Sequence, residues 1–264
     1  MPLRLPKQHP PTRIAADYYK ALRPVLAGLQ AELDRFVEKL RKHWPDPDTI
    51  RSTHKIDARD PIEQLLIETN QRLAKIGNTE QLTKLALRYG QLTAEYQKRQ
   101  LVAQARAAVG VDLNKARGLD AGVVGKISTF AVENAQLVQG LGSRLADDLA
   151  RTVAQATVEG SRWETIAGLL AERANVSESR AKLIARDQTG KLFGQVNAER
   201  QQNLGVTRYV WRTVRDNRVR EEHEVREGDS YDWSDPPEDG HPGEAVNCRC
   251  YAEPDFSDLG LVSE

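Results

Sequence analysis

The last third of the chain gathers the residue types that could do chemistry. His223, His241, Cys248 and Cys250 are of the kinds that hold zinc. A small β module buries little apolar surface, so a metal staple would help it. Against this, the thiolates of Cys248-Arg249-Cys250 must bend to share one ion, and the usual Cys-x-x-Cys knuckle is missing. The favoured alternative is packing, with the cysteines acting as small apolar side chains and His223 bonded to an acidic neighbour. A disulfide across a single intervening residue is strained. Asp216, Arg218, Arg220 and Arg249 suit Arg–carboxylate forks that fix a turn, in preference to a patch for an anion or a partner.

Recognisable catalytic patterns are missing. Glu221-Glu222-His223 does not extend to His-Glu-x-x-His, and there is no Gly-x-x-x-x-Gly-Lys phosphate loop. No Ser or Cys nucleophile is paired with a histidine in a local signature. A binding or structural protein is expected, not an enzyme. Lys182, Arg186, Lys191 and Arg200 lie on one predicted helical stretch. Singly each reads as a solvated residue; together they could face the phosphates of DNA, without sequence readout and with steep salt dependence.

The elements that position these residues are mostly helices. Tyr18, Leu22, Val25, Leu26, Leu29, Leu33, Phe36, Val37 and Leu40 recur at helical steps, with Pro24 as a point of kinking and Trp44-Pro45-Asp46-Pro47-Asp48 as a stop. Asp60-Pro61 reads as a helix start and Gly77 as its stop. Thr79 opens a long helix to Gly110, rich in Gln, Lys and Arg between 94 and 106 and hence expected to be exposed on several sides. Residues 111–125 connect it to a helix that ends at Gly160. A further helix follows Ser161, and another runs from Ser177 to Leu204 with Gly205 as its C-cap. Val206–Val214 alternates β-branched and aromatic residues, a strand signal. Residues 1–11 read as a loose arm. The expected class is α+β: an extended, mostly helical region followed by a small irregular β-rich module. The expected division is 1–110, then 111–205, then 206–256 with Cys-x-Cys, and a tail at 257–264.

Bulk properties narrow the classes further. The 264 residues suffice for two domains. Mean hydropathy is -0.59 and aromatics are 6%, which suits an elongated helical protein better than a compact enzyme. Net charge is zero, but residues 215–264 hold 15 acidic against 5 basic side chains, so the preceding part is equally basic. That asymmetry suggests two kinds of partner or ordinary solvation. No apolar run reaches the ~20 residues of a membrane span. The N-terminus lacks a signal-peptide core, so synthesis in the cytoplasm is expected.

The order of residues from 185 to 254 resembles the Mu F-like family of phage head morphogenesis proteins, also called minor head proteins. The matching positions are Ala185-Arg186-Asp187-Gln188, Asn197, Arg200, Gly205, Tyr209, Trp211, Asp216, Arg218, Arg220 and His223. They continue through Gly228, Trp233, Pro242-Gly243-Glu244, Asn247 and Cys248-Arg249-Cys250. Cys-x-Cys alone is weak; the ordered set is specific. Many members carry a cysteine where this chain has Arg220 and end in a tighter His-Pro-Asn-Cys-Arg-Cys, so a four-thiolate site is impossible here. The ten residues after Pro254 are too few for the toxin enzymes fused to some relatives.

The resemblance implies a minor component of the bacteriophage virion, at the portal vertex or capsid interior, acting in capsid assembly and DNA packaging. Its partners would be the portal protein and the major capsid or scaffold protein, with viral DNA also possible and no membrane. It would be assembled in the host cytoplasm. Two other readings are a DNA-binding protein ejected with the genome and a metal-dependent hydrolase. All of them require residues 185–254 to fold as one body in which Trp211, His223 and Cys248 touch.

Overall fold

The computed structural model describes residues 5–45 and 59–259. Its helices are α1 (Thr12–Ala21), α2 (Arg23–His43), α3 (Arg59–Leu73), α4 (Thr79–Val109), α5 (Val123–Glu159), α6 (Trp163–Asn203) and the single turn α7 (Glu221–Glu224). Strands β1 (Arg208–Thr213), β2 (Ser230–Asp232) and β3 (Cys250–Pro254) form an antiparallel sheet in the order β2-β1-β3. The fold is α+β, as the sequence pattern predicts.

The chain groups into two compact units. One comprises residues 1–18, 83–134 and 185–264; the other comprises 19–82 and 135–184. Helices α1, α4, α5 and α6 contribute residues to both. The second unit is aliphatic and periodic. On α2, Leu29, Leu33, Phe36 and Leu40 are buried one above another, the stripe that three- and four-residue spacing dictates. Leu73, Leu141, Leu145, Leu149, Ile166 and Leu170 are buried in the same unit. Pro24 lies in the first turn of α2, so the chain breaks between α1 and α2 at Leu22 instead of bending within one helix. Helix α2 ends at His43 and the Trp44 indole donates to the Ser161 carbonyl at 3.0 Å. Residues 46–48 of the expected stop lie outside the described residues, as do 1–4 of the arm and 260–264 of the tail. Helix α3 begins at Arg59, just ahead of the expected Asp60 start.

Helix α6 departs from expectation. It runs unbroken from Trp163 to Asn203, with no new start at Ser177. That serine is buried inside it, and no glycine or proline interrupts residues 169–189. Helix α6 ends where expected. The Val206 N–H bonds the Gln201 carbonyl at 3.0 Å, and the Gly205 N–H bonds that of Gln202 at 2.9 Å. This pair is a Schellman closure, and it needs the left-handed φ of +82° that Gly205 adopts.

In the first unit, burial is less aliphatic. Tyr18 stacks on Tyr89 at 4.9 Å, and Leu101, Val102, Ala105, Leu113, Leu119, Val206 and Phe256 form a small core. The Gln-rich stretch of α4 is not exposed on all sides: Gln97 and Gln104 are fully buried. Nor is the arm loose throughout, since Gln8 is buried and donates to Gln104 Oε1 at 2.7 Å. Buried amides keep their place when each finds a partner.

Candidate functional site

Strand β1 alternates, with Tyr209, Trp211 and Thr213 buried on one face. β3 pairs with it, Trp211 opposite Ala252 and Thr213 opposite Cys250, and is buried along its whole length. The buried cluster consists of Tyr209, Trp211, Cys250 and Ala252, with Val219, Tyr231, Trp233 and Cys248 against it. Rings carry much of this packing. Trp233 meets Tyr209 at 4.3 Å and Trp211 meets the His223 ring edge-on at 5.2 Å. The Arg226 guanidinium lies 5.0 Å from the Trp211 ring centre, an attraction for the negative π face.

The C-terminal half of α6 holds the module through polar contacts. Asn197 Nδ2 donates to the Ala252 carbonyl at 2.7 Å, and Gln201 Nε2 donates to the same oxygen at 2.9 Å. Asn197 Oδ1 accepts from Gln97 at 2.7 Å, Gln201 at 3.1 Å and Gln8 at 3.3 Å. Arg186 Nε donates to Asn247 Oδ1 at 2.8 Å, and the Asn247 N–H donates to Asp187 at 2.7 Å. Gly194 allows close approach: a Cβ there would lie 2.8 Å from the Pro242 carbonyl oxygen and 3.2 Å from the Gly243 Cα. Pro242 and Gly243 are both buried.

The arginine cluster is divided. Arg249 grips both carboxylate oxygens of Asp216, through Nε at 2.8 Å and through its second amino group, the fork expected for fixing the turn. Arg218 stands 3.7 Å from Asp216 and is mostly exposed. Arg220 donates to the Val246 carbonyl at 2.7 Å. Gly228 closes the following turn, its N–H bonding the Trp211 carbonyl at 2.9 Å with φ +96°.

His223 sits on α7, buried, with Nε2 2.7 Å from Asp239 Oδ2. Its other nitrogen, Nδ1, lies 3.4 Å from Cys250 Sγ and 3.6 Å from Cys248 Sγ. Three of the four expected metal ligands therefore converge. His241 stands elsewhere: its Nδ1 is 2.9 Å from the Tyr209 hydroxyl, and its ring packs on Trp233 at 4.9 Å. The hydrogen bond from Cys250 pushes the Cys248 thiol well below its ordinary value, while that same bond and burial raise Cys250. Burial raises Asp239, but hydrogen bonds from Arg226 and His223 outweigh it and hold the carboxyl below its ordinary value. In line, Cys248, His223 and Asp239 also have the order of a thiol nucleophile, its base and an orienting carboxylate. No local signature announced it, because 25 residues separate His223 from Cys248.

The basic residues proposed for DNA do not form one exposed face. Arg200 is buried and is withdrawn from that role. It donates to Asp120 at 2.9 and 2.7 Å, and to the Ala94 carbonyl and Gln97 at 2.6 Å each. With four of its five N–H donors spent on internal bonds and the group buried, the guanidinium is not offered to a phosphate. Lys191 pairs with Asp187 at 3.0 Å and Lys182 with Glu178 at 2.8 Å. Sequence reasoning missed Gln8, Gln97, Gln201, Asp120 and Asp239; only the seven-residue step between Gln97 and Gln104, two helical turns on one face, hinted at them.

These features define a class: a three-stranded antiparallel module docked on the end of a long helix and braced by rings, charge pairs and a Cys–His cluster. Residues 147–253 match the family described as Phage Mu protein F like protein. The segment 147–253 is thus similar to the phage Mu F-like family, in agreement with the resemblance read from residues 185–254. A Haemophilus influenzae (strain ATCC 51907 / DSM 11121 / KW20 / Rd) protein described as uncharacterized is 32% identical over 161 residues. The match covers 58% of this chain and 36% of that relative, so the chain spans little more than a third of the relative's length. No solved structure matches the chain.

Proposed function

We propose that this protein is a minor component of a tailed-phage head, acting in head morphogenesis by binding other head proteins and not by catalysis. The observation that carries this reading is the Mu F-like segment at residues 147–253. The geometry favours a docking unit: the polar side chains at the heart of the module are turned toward one another, which suits a body gripped by neighbours. Portal, major capsid and scaffold proteins are the partners this reading names, and the portal vertex or capsid interior is the place.

The charge distribution favours protein partners for the module. Residues 215–264 carry 15 acidic against 5 basic side chains, a field that repels nucleic-acid phosphates. Any DNA contact then falls to the more basic remainder, as a secondary property.

Co-expression with the portal and major capsid proteins of one phage tests the proposal. The chain is expected to sediment with assembled heads in a few copies per head, and its omission should reduce the yield of normal heads. A chain that stays at the top of the gradient beside normal heads rejects the role. Retention on bare DNA that falls steeply with salt, with no head association, favours the genome-bound alternative.

A further inference from the structure

We propose that His223, Cys248 and Cys250 hold a zinc ion through Nδ1 and two sulfurs, with water in the fourth position. The three ligand atoms lie within 4.8 Å of one another. Zinc–sulfur bonds of about 2.3 Å and zinc–nitrogen bonds of about 2.05 Å, at tetrahedral angles, place nitrogen and sulfur about 3.5 Å apart. The observed separations are 3.4 and 3.6 Å.

Asp239 Oδ2 lies 2.7 Å from Nε2, and in the tautomer that donates there Nδ1 turns its lone pair toward both sulfurs at once. A cation at the centre engages all three atoms. The carboxylate–histidine contact is the outer support that metal-bound histidines carry, fixing both tautomer and ring orientation.

The backbone supplies the rest. Cys250 opens β3 and Cys248 lies two residues before it, so side chains on extended chain fall on one face. Cys-x-Cys therefore converges on one ion without the bend feared from spacing alone. Asn247, at φ +55°, turns the chain just ahead of the pair. Cys248 also lines a cleft of about 40 Å³ with Arg186, Asp187 and Lys191, which gives an ion or water a way in. Two thiolates and a neutral imidazole balance a divalent cation, so little net charge is buried. His241 is committed to Tyr209 and is not a ligand.

The test uses the full chain, purified under reducing conditions from zinc-supplemented cells. Elemental analysis should find one zinc per chain after gel filtration. Cobalt(II) in its place should give thiolate-to-metal charge-transfer absorption and the visible bands of a tetrahedral ion. The C248S/C250S chain should lose the metal, and H241Q should keep it. Without any variant, both cysteines should resist iodoacetamide until a strong chelator is added. Four results would each overturn the site: no zinc retained or taken up by reduced protein, equal zinc in C248S/C250S, metal lost in H241Q, or a Cys248–Cys250 disulfide in freshly lysed cells. Rapid alkylation of Cys248 in zinc-supplemented protein would instead favour the thiol-nucleophile order.

Discussion

The unit made of residues 19–82 and 135–184 and the small module at 206–256 are stabilised in different ways. The first buries leucines at helical spacing, Leu29, Leu33, Leu141, Leu145 and Leu149 among them, and its packing is non-directional. The module buries Tyr209, Trp211, Cys250 and Ala252, too little aliphatic surface for so short a chain, and relies on directed contacts. Amides from α6 hold β3, Arg249 holds Asp216, and Asp239 holds His223. Periodic apolar burial tolerates exchange of one aliphatic side chain for another. Directed contacts do not, and they hold a surface in one shape, which is what a docking unit needs.

The largest expected effect breaks each region separately. Trp211→Ala should cost about 3–5 kcal/mol and Leu145→Ala about 2–5 kcal/mol, the usual ranges for emptied cores. Hydrogen exchange should show the first loosening β1 and β3 while amides of α2 stay protected, and the second doing the reverse.

A smaller effect sharpens the contrast. Asn197→Leu keeps the bulk but strands the Gln97 side-chain N–H, whose acceptor is Asn197 Oδ1; an orphaned buried group costs about 1–3 kcal/mol. Urea denaturation should show this loss, whereas Leu33→Met in the aliphatic unit should cost less than about 1.5 kcal/mol. Gly194→Ala drives a Cβ toward the Pro242 carbonyl, and about 1–3 kcal/mol of overpacking should appear in the same assay.

The Asp120–Arg200 contact predicts a pH effect. Burial raises Asp120, but hydrogen bonds from Lys98 and Arg200 win and hold it below the ordinary carboxylate range. A depressed folded value means that its stabilisation is complete above the unfolded value of about 4 and is lost as pH falls through the folded one. Urea midpoints should therefore fall more steeply below about pH 4 in the natural chain than in D120N. Smallest of all, Val158→Ser, at an exposed position of α5, should change stability by less than about 0.5 kcal/mol.

Legibility followed the same division. Leu29 to Leu40 announce a helix because helical burial is periodic, and Tyr209 to Thr213 announce a strand because alternation is. The glycine after α6 was readable because its left-handed turn admits few other residues. The amide hub was not, since Gln8, Gln97 and Gln104 have the composition of a solvated surface and owe their burial to partners far along the chain. The meeting of His223 with the two cysteines was legible as residue types and spacing, but the exclusion of His241 depended on the Tyr209 hydroxyl, which no pattern reveals. The continuity of α6 through Ser177 was lost for a similar reason: a helix-start residue became an interior one when tertiary packing buried it.

The central claim is that residues 185–254 form one cooperative body, in which the end of α6 and the sheet stand or fall together. Native-state hydrogen exchange tests it most directly. Amides of Trp211, Thr213 and Ala252 should open with the same free energy as those of residues 195–201 of α6, and Asn197→Leu should lower all of them in step. Strand amides that exchange freely while that stretch of helix stays protected would contradict the account.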